Sequence, residues 1–341
     1  MGIAQTRRTI ASVAATALVA TGISSCSAIS SASDDDPSTI RYLSSAGLVN
    51  HLELADALGY LGDLQLDRVG ESQGGPDSLQ ALATGESDIA TGPFNGATAK
   101  VVSTGVSIQA VVAAYGSSGD IDGSLFTLEG SDISDAEDLV GKKVAVNTLG
   151  ANWEAFLDTY MAKAGMSEDE IDDVTLVPLP GVNIEAALRE GQVDAAVLSF
   201  AGKELALKNG GLREVAADKD LMGEYNGGSY VLDKEFMDDH PGITRTIVEG
   251  LAKAVEWEQQ HSVDVVREKY GEYLKETGRA ADVATYDTWQ GNGIASPGGV
   301  LSDHDFDIWI DWLRRAGEIN VGAFEVSDLY TNEFNPLAQE K

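Results

Sequence analysis

Two stretches of this sequence repeat one pattern: residues 75–92 read GPDSLQALATGESDIATG, and residues 181–199 read GVNIEAALREGQVDAAVLS. Both contain Ala-Leu-x-x-Gly-x-x-Asp-x-Ala. In each stretch one glycine opens a helix with exposed N–H groups, and a second glycine (Gly85 or Gly191) can adopt the left-handed conformation that ends it. An aspartate (Asp88 or Asp194) is expected to tighten the turn into the next strand. The repeat predicts two α/β lobes built alike.

Outward from these units, short apolar strands alternate with helical stretches, which predicts a mainly parallel α/β sheet in each lobe. Strands are expected at residues 40–43, 64–69, 108–114, 174–177, 195–199 and 230–232, with a further strand ending at Thr91. Residues 138–146 are expected to form a short helix, a turn and a strand. The main helices are expected at residues 52–61, 152–164, 241–260, 262–274 and 302–316. The glycine-rich stretch 116–128 is expected to cross between lobes.

The chain length also favours two lobes, since 341 residues exceed what one core usually covers. We expect lobe 1 to comprise residues 39–115 and a returning part, 227–341, with a helical C-terminal third. Lobe 2 is expected to comprise residues 116–226.

The charge is strongly acidic: 55 Asp and Glu face 23 Lys and Arg, a net of −32. The first 25 residues hold Arg7, Arg8 and no acid, so the remainder carries −34. Such a chain is repelled by nucleic acids and anionic lipids, which excludes nucleic acid as a partner. No Asp-x-Asp-x-Asp-Gly loop indicates calcium, and the acid excess is typical of a solvated surface.

The N-terminus has the features of an exported lipoprotein. Arg7 and Arg8 precede an uncharged apolar run at residues 10–23, so residues 1–25 are predicted to be a signal peptide. The run ends in Ile23-Ser24-Ser25-Cys26, which resembles the lipobox of bacterial lipoproteins. That resemblance implies a lipid on the Cys26 thiol, and residues 26–38 are expected to form a flexible tether. Export by the general or the twin-arginine route stays open.

Catalytic constellations are missing. Cys26 is the only cysteine, which excludes zinc ribbons, iron–sulfur clusters and redox pairs. The sequence has no nucleotide-binding Gly-x-x-x-x-Gly-Lys-Ser/Thr loop, no Gly-x-Ser-x-Gly nucleophile elbow and no His-x-x-x-His pair. His51, expected in the loop before the first helix, is interpreted as a solvated or capping residue. We therefore expect no enzyme activity, no metal and no cofactor.

An ordered set of motifs resembles one group of transport proteins. Four motifs follow one another in the order seen in that group. They are Leu54-Ala55 with Gly59-Tyr60, the first Ala-Leu-x-x-Gly-x-x-Asp-Ile-Ala, residues 138–146 (DLVGKKVAV) and the second repeat. The group comprises the extracellular substrate-binding proteins of ABC importers for nitrate, sulfonates, taurine and thiamine-pyrimidine precursors. The likeness covers residues 39–232 well and the C-terminal third less specifically.

This resemblance implies a type II periplasmic-binding-protein-like fold, in which two α/β lobes close on a ligand in a central cleft. It also implies a monomer, anchored outside the cytoplasm by lipid, that delivers a small molecule to a permease and its ATPase. A sensing or adhesive lipoprotein of the same fold stays open. An enzyme of the pyrimidine-precursor type is disfavoured, because that relative depends on a cysteine cluster.

The ligand site is expected beyond the carboxyl ends of the strands, as in other open α/β sheets. The loops there are rich in Gly, Ser, Thr and Asn, which offer donors at helix N-termini. The expected ligand-binding residues are Ser45, Gln73, Gly75, Pro93, Asn95, Thr148, Gly150, Asn152, Trp153, Asn183, Ser199 and Phe200.

The ligand's identity and charge stay open at this point. No positive side chain is expected in these loops, so an anion would depend on helix N-termini alone, and a neutral or zwitterionic ligand fits as well. Aromatic candidates for stacking on a ring are Phe94, Trp153, Phe200 and Trp289.

Overall fold

The structure, a computed structural model, describes residues 38–72, 74–319, 322 and 324–339. The signal peptide, the tether with Cys26, and Gln73 lie outside the described residues. The strands are, in chain order, β1 (Thr39–Ser44), β2 (Gln65–Glu71), β3 (Ile89–Phe94), β4 (Ile108–Ser117), β5 (Gly123–Leu128), β6 (Lys143–Val146), β7 (Thr175–Pro178), β8 (Ala195–Ser199), β9 (Leu212–Ala217) and β10 (Tyr225–Asp233).

These strands form two five-stranded sheets of similar design. The first sheet has the order β2-β1-β3-β10-β4, and the second has the order β7-β6-β8-β5-β9. In each sheet the fourth strand, β10 or β5, runs antiparallel to both neighbours, while the others run parallel. The carboxyl ends of the parallel strands therefore lie at one edge of each sheet.

The helices cover the sheets and form the C-terminal third. They are α1 (His51–Ala57), α2 (Gly75–Ala83), α3 (Asn95–Ser103), α4 (Asn152–Lys163), α5 (Glu168–Asp172), α6 (Gly181–Arg189), α7 (Phe200–Asn209), α8 (Asp218–Met222), α9 (Lys234–Asp239), α10 (Pro241–Gln260), α11 (Val263–Glu276) and α12 (His304–Arg315).

Each sheet has its own apolar core. The strands of the first sheet share one large cluster with the inner faces of α1, α10, α11 and α12, whose apolar residues recur at helical spacing. The stripe Phe306, Trp309, Ile310 and Leu313 on α12 lies in this core. The second sheet is covered by two smaller clusters, one on each side. We refer to the two sheets with their helices as the first and second lobes.

The repeated sequence units form equivalent units of structure. Helices α2 and α6 begin at Gly75 and Gly181, and the closing glycines, Gly85 and Gly191, have φ of 72° and 69°. The role expected of the aspartates was wrong in detail. Asp88 accepts a hydrogen bond from the Arg41 N–H (2.7 Å) and Asp194 from the Lys143 N–H (2.8 Å), so each joins its unit to the neighbouring strand.

The crossing from the first to the second lobe is shorter than the glycine-rich stretch predicted. Strand β4 extends to Ser117, and only residues 118–122 connect it to β5. Residues 123–128 are strand, because their apolar side chains lie in the centre of the second sheet between β8 and β9. The chain returns through α8 and enters the first sheet at Tyr225.

Candidate functional site

The carboxyl ends of the two sheets face each other across a crevice. Gly74, before α2, lies so close to Thr148 in the second lobe that a Cβ on Gly74 would be 3.0 Å from the Thr148 hydroxyl. The rings of Tyr115 at the end of β4 and Phe200 at the start of α7 meet at 5.8 Å between centroids. Loops that are far apart in sequence therefore form one site between the lobes.

A buried carboxylate holds the strands where the chain crosses between lobes. Asp218, fully buried, accepts hydrogen bonds from the Ser117 hydroxyl (2.8 Å), the Gly123 N–H (3.2 Å) and the Tyr225 hydroxyl (2.7 Å). These residues end β4, begin β5 and begin β10, and Asp218 itself follows β9. Burial raises the pKa of Asp218. All four strand ends at the crossing thus converge on one side chain, and we call this group the hinge cluster.

In the first lobe, three of the expected site residues lie along the crevice edge. Ser45 is half-buried just after β1, and Gly75 begins α2. Gly75 lies directly against Pro93, since a Cβ on Gly75 would be 2.9 Å from the Pro93 Cα. Only glycine allows α2 to begin this close to β3.

Asn95 differs from its expected role. Its side chain is fully buried and donates to the carbonyl oxygens of Asn226 (2.9 Å) and Asp305 (3.2 Å), while its own oxygen accepts from Ser229 (2.7 Å). The amide is therefore used inside the first lobe, where it joins α3 to β10 and α12. Asn95 supports the crevice wall and does not line it.

In the second lobe, the loop after β6 supplies polar groups at the start of α4. Thr148 is half-buried opposite Gly74. The Gly150 N–H is occupied by the Glu154 carboxylate (2.7 Å). Asn152 is only 7% exposed, and its side chain forms no hydrogen bond within the described part of the chain. Its amide atoms are not among the buried unpaired ones, so they still reach solvent. An amide at the start of a helix that bonds to no protein group and still reaches solvent is available to a ligand, which can replace the water there.

The other expected residues of the second lobe have different surroundings. Trp153 lies in the core, and its ring fills the space beside Gly123, where a Cβ would overlap it. Asn183 is exposed in the first turn of α6, beyond the edge strand β7. Ser199 and Phe200 are half-buried where β8 passes into α7. Trp153 therefore supports the wall of the crevice, because its indole is packed in the core of the second lobe and does not face a ligand.

Tyr115 was missed by the sequence interpretation. Its ring lies over Gly92, Gly227 and Gly228 of the neighbouring strands, and a Cβ at Gly228 would overlap it. Burial raises the pKa of its hydroxyl. One signal was available: an aromatic residue ends a run of Ala and Val and precedes Gly-Ser-Ser-Gly.

Two basic side chains lie closer to the crevice than predicted. The Arg68 guanidinium donates to the Ser44 hydroxyl (2.5 Å), because β2 pairs with β1 in a register that brings the side chain to the carboxyl end of the sheet. Lys203 lies in the first turns of α7, nearly buried, and its ammonium group bonds to Asp122 and to the Ser124 hydroxyl (2.9 Å). The Lys203 charge is therefore already paired with Asp122, while the Arg68 guanidinium lies 3.5 Å from the exposed Glu71 carboxylate.

His51 is the first residue of α1 and not a solvated loop residue. It is fully buried, and its Nε2 lies 2.5 Å from a carboxylate oxygen of Glu258 on α10. The same carboxylate accepts from the Asn292 N–H (3.0 Å) through its other oxygen. This imidazole therefore connects α1 to the C-terminal helices.

Neither a metal-ligand cluster nor a membrane-spanning helix occurs among the described residues. No group of three His, Cys, Asp or Glu side chains in them is placed to hold a metal ion. In that part of the chain, no helix is both long and apolar enough to cross a membrane.

Comparisons with known proteins agree on the fold. The family model described as NMT1/THI5 like matches residues 50–264, more than half of the chain. No curated protein matches the sequence.

Solved structures share the architecture at low identity. The periplasmic aliphatic sulphonate binding protein SsuA from Escherichia coli is 18% identical, with a TM-score of 0.64 over 86% of this chain and 91% of SsuA. The periplasmic nitrate-binding protein NrtA from Synechocystis PCC 6803 is 11% identical, with a TM-score of 0.65 over 87% of each chain. The desulfurization enzyme DSZB is 15% identical, with a TM-score of 0.58 over 87% of this chain and 97% of DSZB. The chain thus has the two-lobed α/β fold of periplasmic binding proteins.

Proposed function

The chain belongs to the NMT1/THI5-like family, and from this premise we propose that it is a solute-binding protein of an ABC importer. It captures a small organic or oxyanionic ligand between its lobes and delivers the ligand to a permease with its ATPase. The candidate ligands include sulfonate-, taurine- and nitrate-like molecules and pyrimidine precursors, since sulphonate- and nitrate-binding proteins share the fold.

One observation supports this proposal most directly: the carboxyl ends of both sheets face a common crevice, and an amide that bonds to no other described group lies at its edge. Asn152 has no hydrogen-bond partner among the described residues. Because the amide atoms of Asn152 still reach solvent, a ligand atom can replace the water that contacts them. We propose that the site comprises Ser45, Gly75, Pro93, Thr148, Gly150, Asn152, Ser199 and Phe200 with Tyr115, supported by Asn95 and Trp153.

Location and lobe boundaries are part of the same proposal. We propose an extracytoplasmic, monomeric protein anchored by a lipid on Cys26, with lobe 2 inserted between two parts of lobe 1 near residues 116 and 226. Cys26→Ser should release the protein from the membrane fraction into the medium with ligand affinity unchanged. If the variant stays in the membrane fraction, the proposed lipid anchor is rejected, while the proposed ligand binding is unaffected.

An enzyme is the second candidate, because DSZB shares the fold. The single cysteine, Cys26, lies in the predicted lipobox, and the His51 imidazole is occupied by Glu258 inside the first lobe. We therefore propose binding without turnover. Ligand incubated with stoichiometric protein should be recovered unchanged, whereas conversion by pure protein would favour the enzyme. A sensing lipoprotein would bind without supporting uptake.

The proposal is tested by binding and closure. A thermal-shift screen against sulfonates, nitrate, amino acids, pyrimidines and ammonium compounds should find a ligand, which stabilises by about 2.7 kcal/mol at 100 times its Kd. Asn152→Ala should weaken that ligand about 5- to 100-fold, since a buried ligand atom loses its partner. The exposed Asn209→Ala serves as the control. Solution scattering should show contraction on binding. Failure of every solute to bind would reject the function.

A further inference from the structure

The contact between Tyr115 and Phe200 has the features of a built aromatic site. Three glycines in two strands, Gly92, Gly227 and Gly228, leave room for the Tyr115 ring over the first sheet. A side chain at Gly228 would displace the ring. The sequence therefore reserves this space for one aromatic side chain between the lobes.

Phe200 meets this ring from the second lobe. The two rings are nearly perpendicular, at 83° and 5.8 Å. Phe200 has a φ of 49°, the one positive φ outside glycine among the described residues. Such a conformation costs of order 1–3 kcal/mol and persists where the surroundings impose it, often at ligand sites.

The charges around Phe200 are mainly negative. A small cavity between the lobes is lined by Phe200 together with Asp120, Asp122, Glu204 and Lys203. The Lys203 ammonium is paired with Asp122 and lies 3.4 Å from the Glu214 carboxylate. Asp120 and Glu204 face the same cavity with no further cation to balance them among the residues that line it. An anion placed here would meet repulsion and no free cation.

Aromatic faces and carboxylates together favour one class of ligand. An ammonium group over an aromatic ring gains about 0.5–2 kcal/mol, and quaternary ammonium ligands are recognised in this way. We propose that the solute bound in the crevice is an organic cation or zwitterion that separates the Tyr115 and Phe200 rings, which contact each other in this structure. Its ammonium group then lies against these rings, near Asp120 and Glu204. This inference rests on the proposed solute-binding function and narrows its ligand.

The test uses the purified full-length chain and calorimetry with matched probes. Tetramethylammonium and choline are compared with dimethylbutanol, in which carbon replaces the choline nitrogen, and with methanesulfonate and nitrate as anions. We expect an ammonium probe to bind with a Kd on the order of 1 mM or tighter. The uncharged isostere should bind at least about tenfold more weakly, because it lacks the cation–π attraction.

Variants locate the interaction. Tyr115→Leu and Phe200→Leu should each weaken choline about tenfold, while Tyr115→Phe, which keeps the ring face, should bind as the wild type does. Glu204→Gln should weaken choline several-fold, with exposed Glu168→Gln and distant Phe236→Leu as matched controls. Melting curves check that each variant folds.

The outcomes separate the two proposals. If methanesulfonate or nitrate binds and no ammonium compound does, the proposed cationic ligand is rejected while the proposed solute-binding function stands. Absence of ammonium binding, or choline binding that is unchanged in both leucine variants, would also overturn the inference. Solute binding itself fails only if the wider screen finds no ligand.

Discussion

Asn95 lies at the start of α3 and has a structural role that shows what a single residue contributes to the crevice wall. Its amide satisfies two carbonyl oxygens and one hydroxyl from β10 and α12. Asn95→Ala would leave these groups unpaired in the core, and we expect a loss of about 2–3 kcal/mol in unfolding free energy. Urea unfolding would measure it, with exposed Asn209→Ala within about 0.5 kcal/mol as the control. An unchanged midpoint would contradict the assignment.

Asp158 on α4 makes stability depend on pH. Its carboxylate accepts from the Trp312 indole of α12 (2.7 Å), and burial raises its pKa to about 6. Between the unfolded pKa and this value the folded state binds the extra proton, so the Asp158 contribution to stability falls as pH rises from about 4 to 6. Above pH 6 the charged, mostly buried carboxylate costs on the order of 2–3 kcal/mol.

Asp158→Asn keeps an acceptor for the indole and removes this titration. Relative to the wild type, the variant should therefore gain stability as pH rises from about 4 to 6. Melting temperatures of both proteins across this range measure the difference, and exposed Asp169→Asn serves as the control. Parallel pH profiles for wild type and Asp158→Asn would refute the proposed cost.

At the scale of elements, the repeated units give a paired comparison. Asp88 binds the Arg41 N–H and its guanidinium, while Asp194 binds the Lys143 N–H. Asp88→Ala should cost about 1.5–3 kcal/mol because it also removes the carboxylate partner of the Arg41 guanidinium, and Asp194→Ala about 0.5–1.5 kcal/mol. Chemical denaturation orders the two variants, with exposed Glu86→Ala as the reference. A larger loss for Asp194→Ala would contradict the assignment.

The elements also show what the sequence could predict. Helix α10 has the predicted bounds, because Pro241 and an apolar stripe mark it locally. The repeat also predicted α2 and α6, because the glycines that begin and end these helices are local signals. Asn95 was misassigned because its hydrogen-bond partners Asn226 and Asp305 lie 131 and 210 residues away in the sequence. Tyr115 was missed because the glycines that make room for its ring lie in two other strands. Local patterns do not report such distant contacts.

At the scale of the whole molecule, the hinge cluster should govern lobe movement. Asp218→Ala leaves three donors without their acceptor and should cost about 3 kcal/mol or more. Asp218→Asn should be mild, since its oxygen can accept from Ser117 and Gly123 while its NH₂ donates to the Tyr225 oxygen. Thermal unfolding and ligand affinity are the measurements, with exposed Asp220→Ala as the control. Equal stability of the alanine and asparagine variants would argue against this role.

The order in which the strands enter the two sheets has a consequence for biosynthesis. All five strands of the second sheet come from residues 123–217 without interruption, whereas the first sheet needs β10 inserted between β3 and β4. A chain that emerges from its N-terminus can therefore complete the second sheet while the first still lacks an inner strand. Until Tyr225–Asp233 arrives, β3 and β4 present unpaired backbone edges to other chains. The nascent protein is thus most vulnerable to aggregation in the half that was synthesised first.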